Sequence, residues 1–99
     1  MVRRDEITGF LNDYLDVAHV RDYGINGLQV IGKDQVGRVA VGVSASLELF
    51  QKAADNSADL IVVHHGLFWN NSPREIGPVL KQRLKTLFDH NLTLLAYHL

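Results

Sequence analysis

The stretch Ala58-Asp59-Leu60-Ile61-Val62-Val63-His64-His65-Gly66 decides the fold. Leu60 to Val63 is a continuous apolar run without polar alternation, the signature of a strand covered on both faces. Upstream, Arg38 to Val43 reads as another strand, with Val39, Val41 and Val43 on one face and small Ala40 and Gly42 on the other. Ser46 is a suitable N-cap for a helix from Leu47 to about Asn56. Downstream, an irregular segment runs from Gly66 to Gly77, longer than a structural connection needs. Pro78 suits the first turn of the next helix. Its expected buried stripe is Leu80, Leu84, Leu87 and Phe88, with Lys81, Gln82, Arg83 and Lys85 outside. Asn91 stops that helix, and Leu92 to Tyr97 forms the last strand.

Strand, helix, strand, helix, strand is the order of an α/β unit: a small, mostly parallel sheet with flanking helices and right-handed crossovers. Further toward the N-terminus, Ile7, Phe10, Leu11, Tyr14 and Leu15 recur at helical spacing, with Asp5 and Glu6 in the first turn. Turn formers crowd the stretch from Asp22 to Gly27. A short strand is expected over Leu28 to Ile31, then a turn over Gly32 to Gln35.

The 99 residues suit a single α/β domain, residues 1–99. Hydrophobic residues at 46% and charged residues at 21% are ordinary for a globular chain. Ten Lys and Arg against eleven Asp and Glu leave a formal charge of -1, so no basic field points to nucleic acid or an anionic membrane. Four of the residues from Met1 to Glu6 are charged and no apolar signal core follows, which makes the cytoplasm the expected compartment. There are no cysteines, so any metal must be held by nitrogen and oxygen.

Ligands in open α/β sheets bind beyond the carboxyl ends of the strands. Three strands end there in polar residues: at Ser44, at His64 and His65, and at His98. Adjacent strand residues point to opposite faces. His64 and His65 therefore share one site only if the chain leaves β geometry there, which Gly66 eases; otherwise they serve two metals side by side. Imidazole suits zinc, iron, nickel or manganese, and a metal so bound acidifies its water. A neighbouring His pair alone is more often polar loop chemistry; its place after a covered strand brings the metal reading level. His98 and Trp69 are candidates for supporting or substrate-contacting roles. Taken singly, His98 is more commonly a strand-end residue with a backbone partner. Phe68 and Trp69 fit a pocket mouth, or a core or oligomer contact. His19 and His90 read as solvent or capping residues. Arg74, Lys81, Arg83 and Lys85 read as a solvated basic face. No Walker or nucleophile-elbow pattern is present.

At this point the sequence resembles the N-terminal part of the NIF-three-like family, the GTP cyclohydrolase I type 2 homologues. The likeness is carried by Asp22-Tyr23-Gly24-Ile25-Asn26-Gly27-Leu28-Gln29-Val30, by Val41 to Ser46, by Ala58 to Trp69 and by Tyr97-His98-Leu99. It implies a dinuclear divalent metal centre with His64 and His65 as ligands, two ions per intact site. It also implies a longer two-domain protein assembled as a toroidal homo-oligomer, commonly a hexamer. In the family, an aspartate ligand lies four positions after the histidine matching His98, and further His and Glu ligands come from near the far C-terminus. The chain is therefore expected to be the N-terminal portion of a metal-dependent hydrolase acting through metal-activated water on an unidentified small molecule. By itself it is expected to be inactive, because its ligand set is incomplete. The alternative is a non-catalytic metal-binding or regulatory interaction protein.

Overall fold

A computed structural model describes residues 1–22 and 24–99; Tyr23, within the expected turn, lies outside the described residues. The elements in order are β1 (Val2–Arg3), α1 (Arg4–Tyr14), β2 (Gly27–Val30), β3 (Gln35–Val36), β4 (Val39–Val41), α2 (Leu47–Asp55), β5 (Leu60–Val63), α3 (Pro78–Asp89) and β6 (Thr93–Ala96). A 3-10 turn, Val17–His19, follows α1. Four strands form the main sheet in the order β2-β6-β5-β4. β4, β5 and β6 run parallel, with Val41 beside Val62 and Val62 beside Leu95. β2 pairs antiparallel to β6. The sheet is thus mostly parallel, as its alternation with helices predicts. β1 and β3 make a separate antiparallel pair, Val2 opposite Val36. Two-residue strands carry no periodicity, which is why Gln35 reads as turn in the sequence.

Both faces of β5 are covered, and this explains its unbroken apolar run. Leu60 joins Val36, Leu95 and Tyr97 under α1, which contributes Ile7 and Leu11, with Leu15 just past its end. Ile61 and Val63 face the other way, with Phe50, Ala53, Leu87, Leu94 and Ala96. Ser46 caps α2, its Oγ accepting from the Leu49 N–H at 3.1 Å. Pro78 opens α3, and Asn91 beyond its end adopts φ 54°.

Two packing expectations change, and the two faces of the Val39 strand are assigned. Phe88 is 62% exposed rather than part of the α3 stripe, because the sheet reaches only the Leu84 and Leu87 side of that helix. Arg83, expected outside, is half-buried, and its Nε is buried without a hydrogen-bond partner among the described residues. The small residues of and just after β4 face the helix layer: Ala40 packs on its core, and Gly42 lies against Leu49 of α2, where a Cβ would come within 2.5 Å of Cδ2. The valine face, Val39, Val41 and Val43, is exposed along the sheet edge.

Asp59 ties the lower ends of the strands together. It is 8% exposed, and its carboxylate accepts from Lys33 Nζ at 2.8 Å, Gly37 N at 2.7 Å and Arg38 N at 3.0 Å. The Lys33 hydrogen bond, with help from the two backbone N–H groups and against the cost of burial, holds its pKa below the ordinary 3.8. A carboxylate with a depressed folded-state pKa stabilises the fold above its unfolded pKa, and that contribution is lost as pH falls through the folded value. Urea midpoints should therefore drop as pH falls below the ordinary carboxylate value of 3.8 and through the lowered folded value. Asp59→Asn should flatten that decline while lowering the midpoint at neutral pH. An unchanged acid limb in the variant would contradict this.

Candidate metal centre

The parallel strands β4, β5 and β6 bring their carboxyl ends to one edge, and the polar residues beyond them meet there. The backbone N–H groups of His64 and His65 both donate to the Val43 carbonyl, at 3.0 and 2.8 Å, and Ala45 N donates to the His65 carbonyl at 2.8 Å. Two consecutive residues on one strand thus oppose one on its neighbour, the arrangement of a β-bulge. The bulge cancels the alternation that would send the two imidazoles to opposite faces, and their ring centroids lie 4.5 Å apart. The departure from β geometry that a shared site requires is therefore present, one residue before Gly66. Gly66 is needed for close packing: a Cβ there would lie 2.4 Å from Gln29 Oε1 and 2.7 Å from the Ala96 Cβ.

His98 joins the pair. Its ring lies 4.6 Å from that of His64 and 5.3 Å from that of His65, and ligand nitrogens of all three lie within 4.8 Å of one another. His98, read as a strand-end residue with a backbone partner or as a supporting residue of the site, lies in a three-histidine cluster. The Nδ1 atoms of two of the rings are engaged. His64 Nδ1 donates to the Tyr97 carbonyl at 3.1 Å, and His98 Nδ1 donates to the Asp22 carboxylate at 2.8 and 3.0 Å. Each of these two rings then has Nε2 left with a free lone pair. His65 Nδ1 lies 3.5 Å from Ser44 Oγ, a longer contact.

This donor set fits a divalent ion. Three neutral imidazoles are the ligand number of an open zinc site. Nitrogens ~2.0–2.1 Å from one tetrahedral ion lie ~3.3–3.4 Å apart, so the three rings, now within 4.8 Å, must draw together to close on one ion. Two ions ~3.5–4 Å apart would fit its present span.

Trp69 flanks the cluster, edge-on to His98 at 5.1 Å and tilted toward His65 at 6.3 Å. It is held by a bridge to Gly24, where a Cβ would lie 2.8 Å from the indole. Gln29 fixes the start of the same loop, accepting from Leu67 N at 2.7 Å and donating to the Ile25 carbonyl at 2.8 Å. Phe68, beside this wall, also lines a cleft of about 340 Å³ against the start of α3, with Leu67, Pro73, Val79 and Arg83. Tyr97 anchors the end of β6 from the opposite side. Its hydroxyl donates to Asn12 Oδ1 at 2.8 Å, and burial raises its pKa to about 12.

His19 and His90 lie apart from the cluster among the described residues. His19 pairs with Asp16 at 2.6 Å on the surface, and His90 caps α3. Asp22 and Asn26 escape a sequence reading because they look like turn formers. Only the spacing of two polar residues ahead of the Gly27–Val30 strand hints at more.

A model of the Duf34/NIF3 (NGG1p interacting factor 3) family matches residues 2–99. The chain is 43% identical over 98 residues to a protein of Yersinia pestis named GTP cyclohydrolase 1 type 2 homolog, covering 99% of this chain and 40% of that protein. It is 46% identical over 86 residues to the Pseudomonas aeruginosa protein of the same name, covering 87% of this chain and 34% of that one. Among solved structures, TTHA1606 from Thermus thermophilus superposes with a TM-score of 0.93 at 41% identity, covering 99% of this chain and 40% of that one. The chain thus spans about 40% of the length of the Yersinia relative and of TTHA1606.

Proposed function

The chain belongs to the Duf34/NIF3 (NGG1p interacting factor 3) family, and on that premise we propose that His64, His65 and His98 hold divalent metal for a hydrolytic reaction. The convergence of three imidazoles within 4.8 Å beyond the ends of parallel strands carries this reading. A bound divalent ion supplies Lewis acidity and a water acidified toward neutral pH.

The chain's own residues hold and screen that centre. The Tyr97 carbonyl and the Asp22 carboxylate fix the His64 and His98 rings with Nε2 free. Trp69 walls one side, and the cleft beside Phe68 offers room for a small organic substrate. The family resemblance supports a second ion, further ligands outside these residues and a homo-oligomeric assembly such as a hexamer. The curated relatives' names support a nucleotide-like substrate only as homologues of a cyclohydrolase.

The test is titration of the chelator-treated protein, with the further ligands that the family resemblance implies in place, with Zn²⁺ and Mn²⁺, followed by hydrolysis assays on nucleotides and phosphoesters. Saturable binding with metal-dependent turnover is the expected result. Binding without turnover across the panel would reduce the proposal to a metal-holding or regulatory role, and absence of saturable binding would overturn it.

A further inference from the structure

We infer that the cleft beside Phe68 takes the anionic end of a small organic molecule, a carboxylate or a phosphate monoester, and that Arg83 binds it. The inference rests on the reading of that cleft as substrate space and needs nothing from the histidine cluster.

Arg83 sits where a cation is out of place. It lies one turn after Val79 and Leu80 and one turn before the fully buried Leu87, so it shares the inner side of α3. Its Nε is closed to solvent, and the guanidinium makes no hydrogen bond or ion pair among the described residues. Arginine offers only donors, and a buried donor without a partner costs stability. A solvated basic face accounts for its exposed neighbours Lys81 and Lys85 and leaves Arg83 unexplained.

The cleft supplies the place for an acceptor. About 340 Å³ lies between the loop after the histidine pair and the start of α3, and Arg83 is the one cation on its wall among the described residues. Leu67, Phe68, Pro78 and Val79 make much of that wall apolar. Glu75, on the same wall, is exposed and does not pair with Arg83. The guanidinium charge is therefore uncompensated, beside apolar surface that strengthens its pull on an acceptor. Ser72, whose Oγ accepts from Trp69 N at 2.9 Å, keeps its own proton to donate. α3 begins on this wall as well, with no acidic residue in its first turn to offset its positive end. A planar guanidinium matches the paired oxygens of a carboxylate or a phosphate. Ligand pockets commonly span ~300–1,000 Å³, so this one suits a single ring with one anionic group, or that part of a larger molecule.

The probes are phenyl phosphate and phenylacetate, with benzyl alcohol as the uncharged control and inorganic phosphate as the bare ion. Each is titrated into the chelator-treated protein and followed by ¹H–¹⁵N NMR. At least one aromatic anion should give saturable shifts at Phe68, Val79 and the Arg83 Nε–H, and the tighter of the two tells phosphate from carboxylate. Arg83→Met should weaken that binding ~10-fold or more, the worth of a hydrogen bond to a charged group. Arg83→Lys, which keeps the charge and loses the fork, should recover part of it. An Arg83 that only braced α3 would leave anion affinity unmoved. No saturable shift with either anion, equal affinity for benzyl alcohol, or wild-type affinity in Arg83→Met would overturn the inference. Inorganic phosphate binding as tightly as phenyl phosphate would overturn it too, leaving an adventitious ion only. If Arg83→Met does not fold, the Nε–H shift and the benzyl alcohol comparison still decide. Zn²⁺ binding to the same protein keeps the readings apart. Anion binding without Zn²⁺ binding would remove the metal centre and keep the cleft, and Zn²⁺ binding without anion binding would do the reverse.

Discussion

His64→Ala should lower Zn²⁺ affinity by more than ~100-fold, beyond the range that loss of an outer hydrogen-bonding partner produces. The expectation follows from ligand number. Three imidazoles converge within 4.8 Å, and catalytic zinc sites commonly use three protein ligands. Removing one leaves two, with water to complete the shell. The same loss is expected for His65→Ala and His98→Ala, because the three rings are mutual neighbours and none is redundant. The fold should tolerate the change. Among the described residues His64 makes one side-chain hydrogen bond, to the Tyr97 carbonyl, and such a bond contributes only ~0.5–1.5 kcal/mol net. Chelator competition paired with thermal melts of the metal-free protein separates affinity from stability. Retained affinity in all three variants would remove the cluster from any metal role.

Phe50→Ala should destabilise the protein by ~3–5 kcal/mol, the usual cost of emptying a fully buried aromatic site. Phe50 is 0% exposed and packs on the helix-covered face of the sheet with Ala53, Ile61, Leu87 and Leu94. A domain of this size commonly has a total stability of ~5–15 kcal/mol, so the loss is a large share of it. The melting temperature should fall by ~12 °C or more, at ~4–8 °C per kcal/mol. Phe88→Ala provides the contrast. That ring is 62% exposed, and its removal should stay within ~0.5 kcal/mol. Urea unfolding of the two variants measures both numbers, and similar losses in both would contradict the packing described.

The sheet is legible in the sequence where burial is two-sided. Leu60 to Val63 announces a strand between two layers because every side chain in it meets a layer. Helices α2 and α3 are legible from Ser46, Pro78 and Asn91, which act locally on the backbone. Phe88 misleads because helical spacing says which residues share a stripe and not how wide a surface the sheet presents to it. β1 and β3 are hidden because two residues define no period. At the site, His64, His65 and His98 can be assigned to one sheet edge from the strand order. Their meeting in a single cluster depends on a backbone detail at residues 64 and 65 that propensity does not encode. Asp22 and Asn26 are further from reach, since their partner lies at the opposite end of the chain.

The shared carbonyl of Val43 also sets a gauge for the site. Regular strands place same-face residues two positions apart, with Cα atoms ~6.6–6.8 Å from each other. Successive Cα atoms are ~3.8 Å apart, and here consecutive residues serve the same side with ring centroids at 4.5 Å. A His-x-His strand would offer a wider jaw, suited to ligands that approach an ion from well-separated directions. The His-His dipeptide offers a narrow one with no slack. Variation in loop length elsewhere can be absorbed along the chain, whereas a single residue gained or lost between Val63 and Gly66 would change the bite of the site itself.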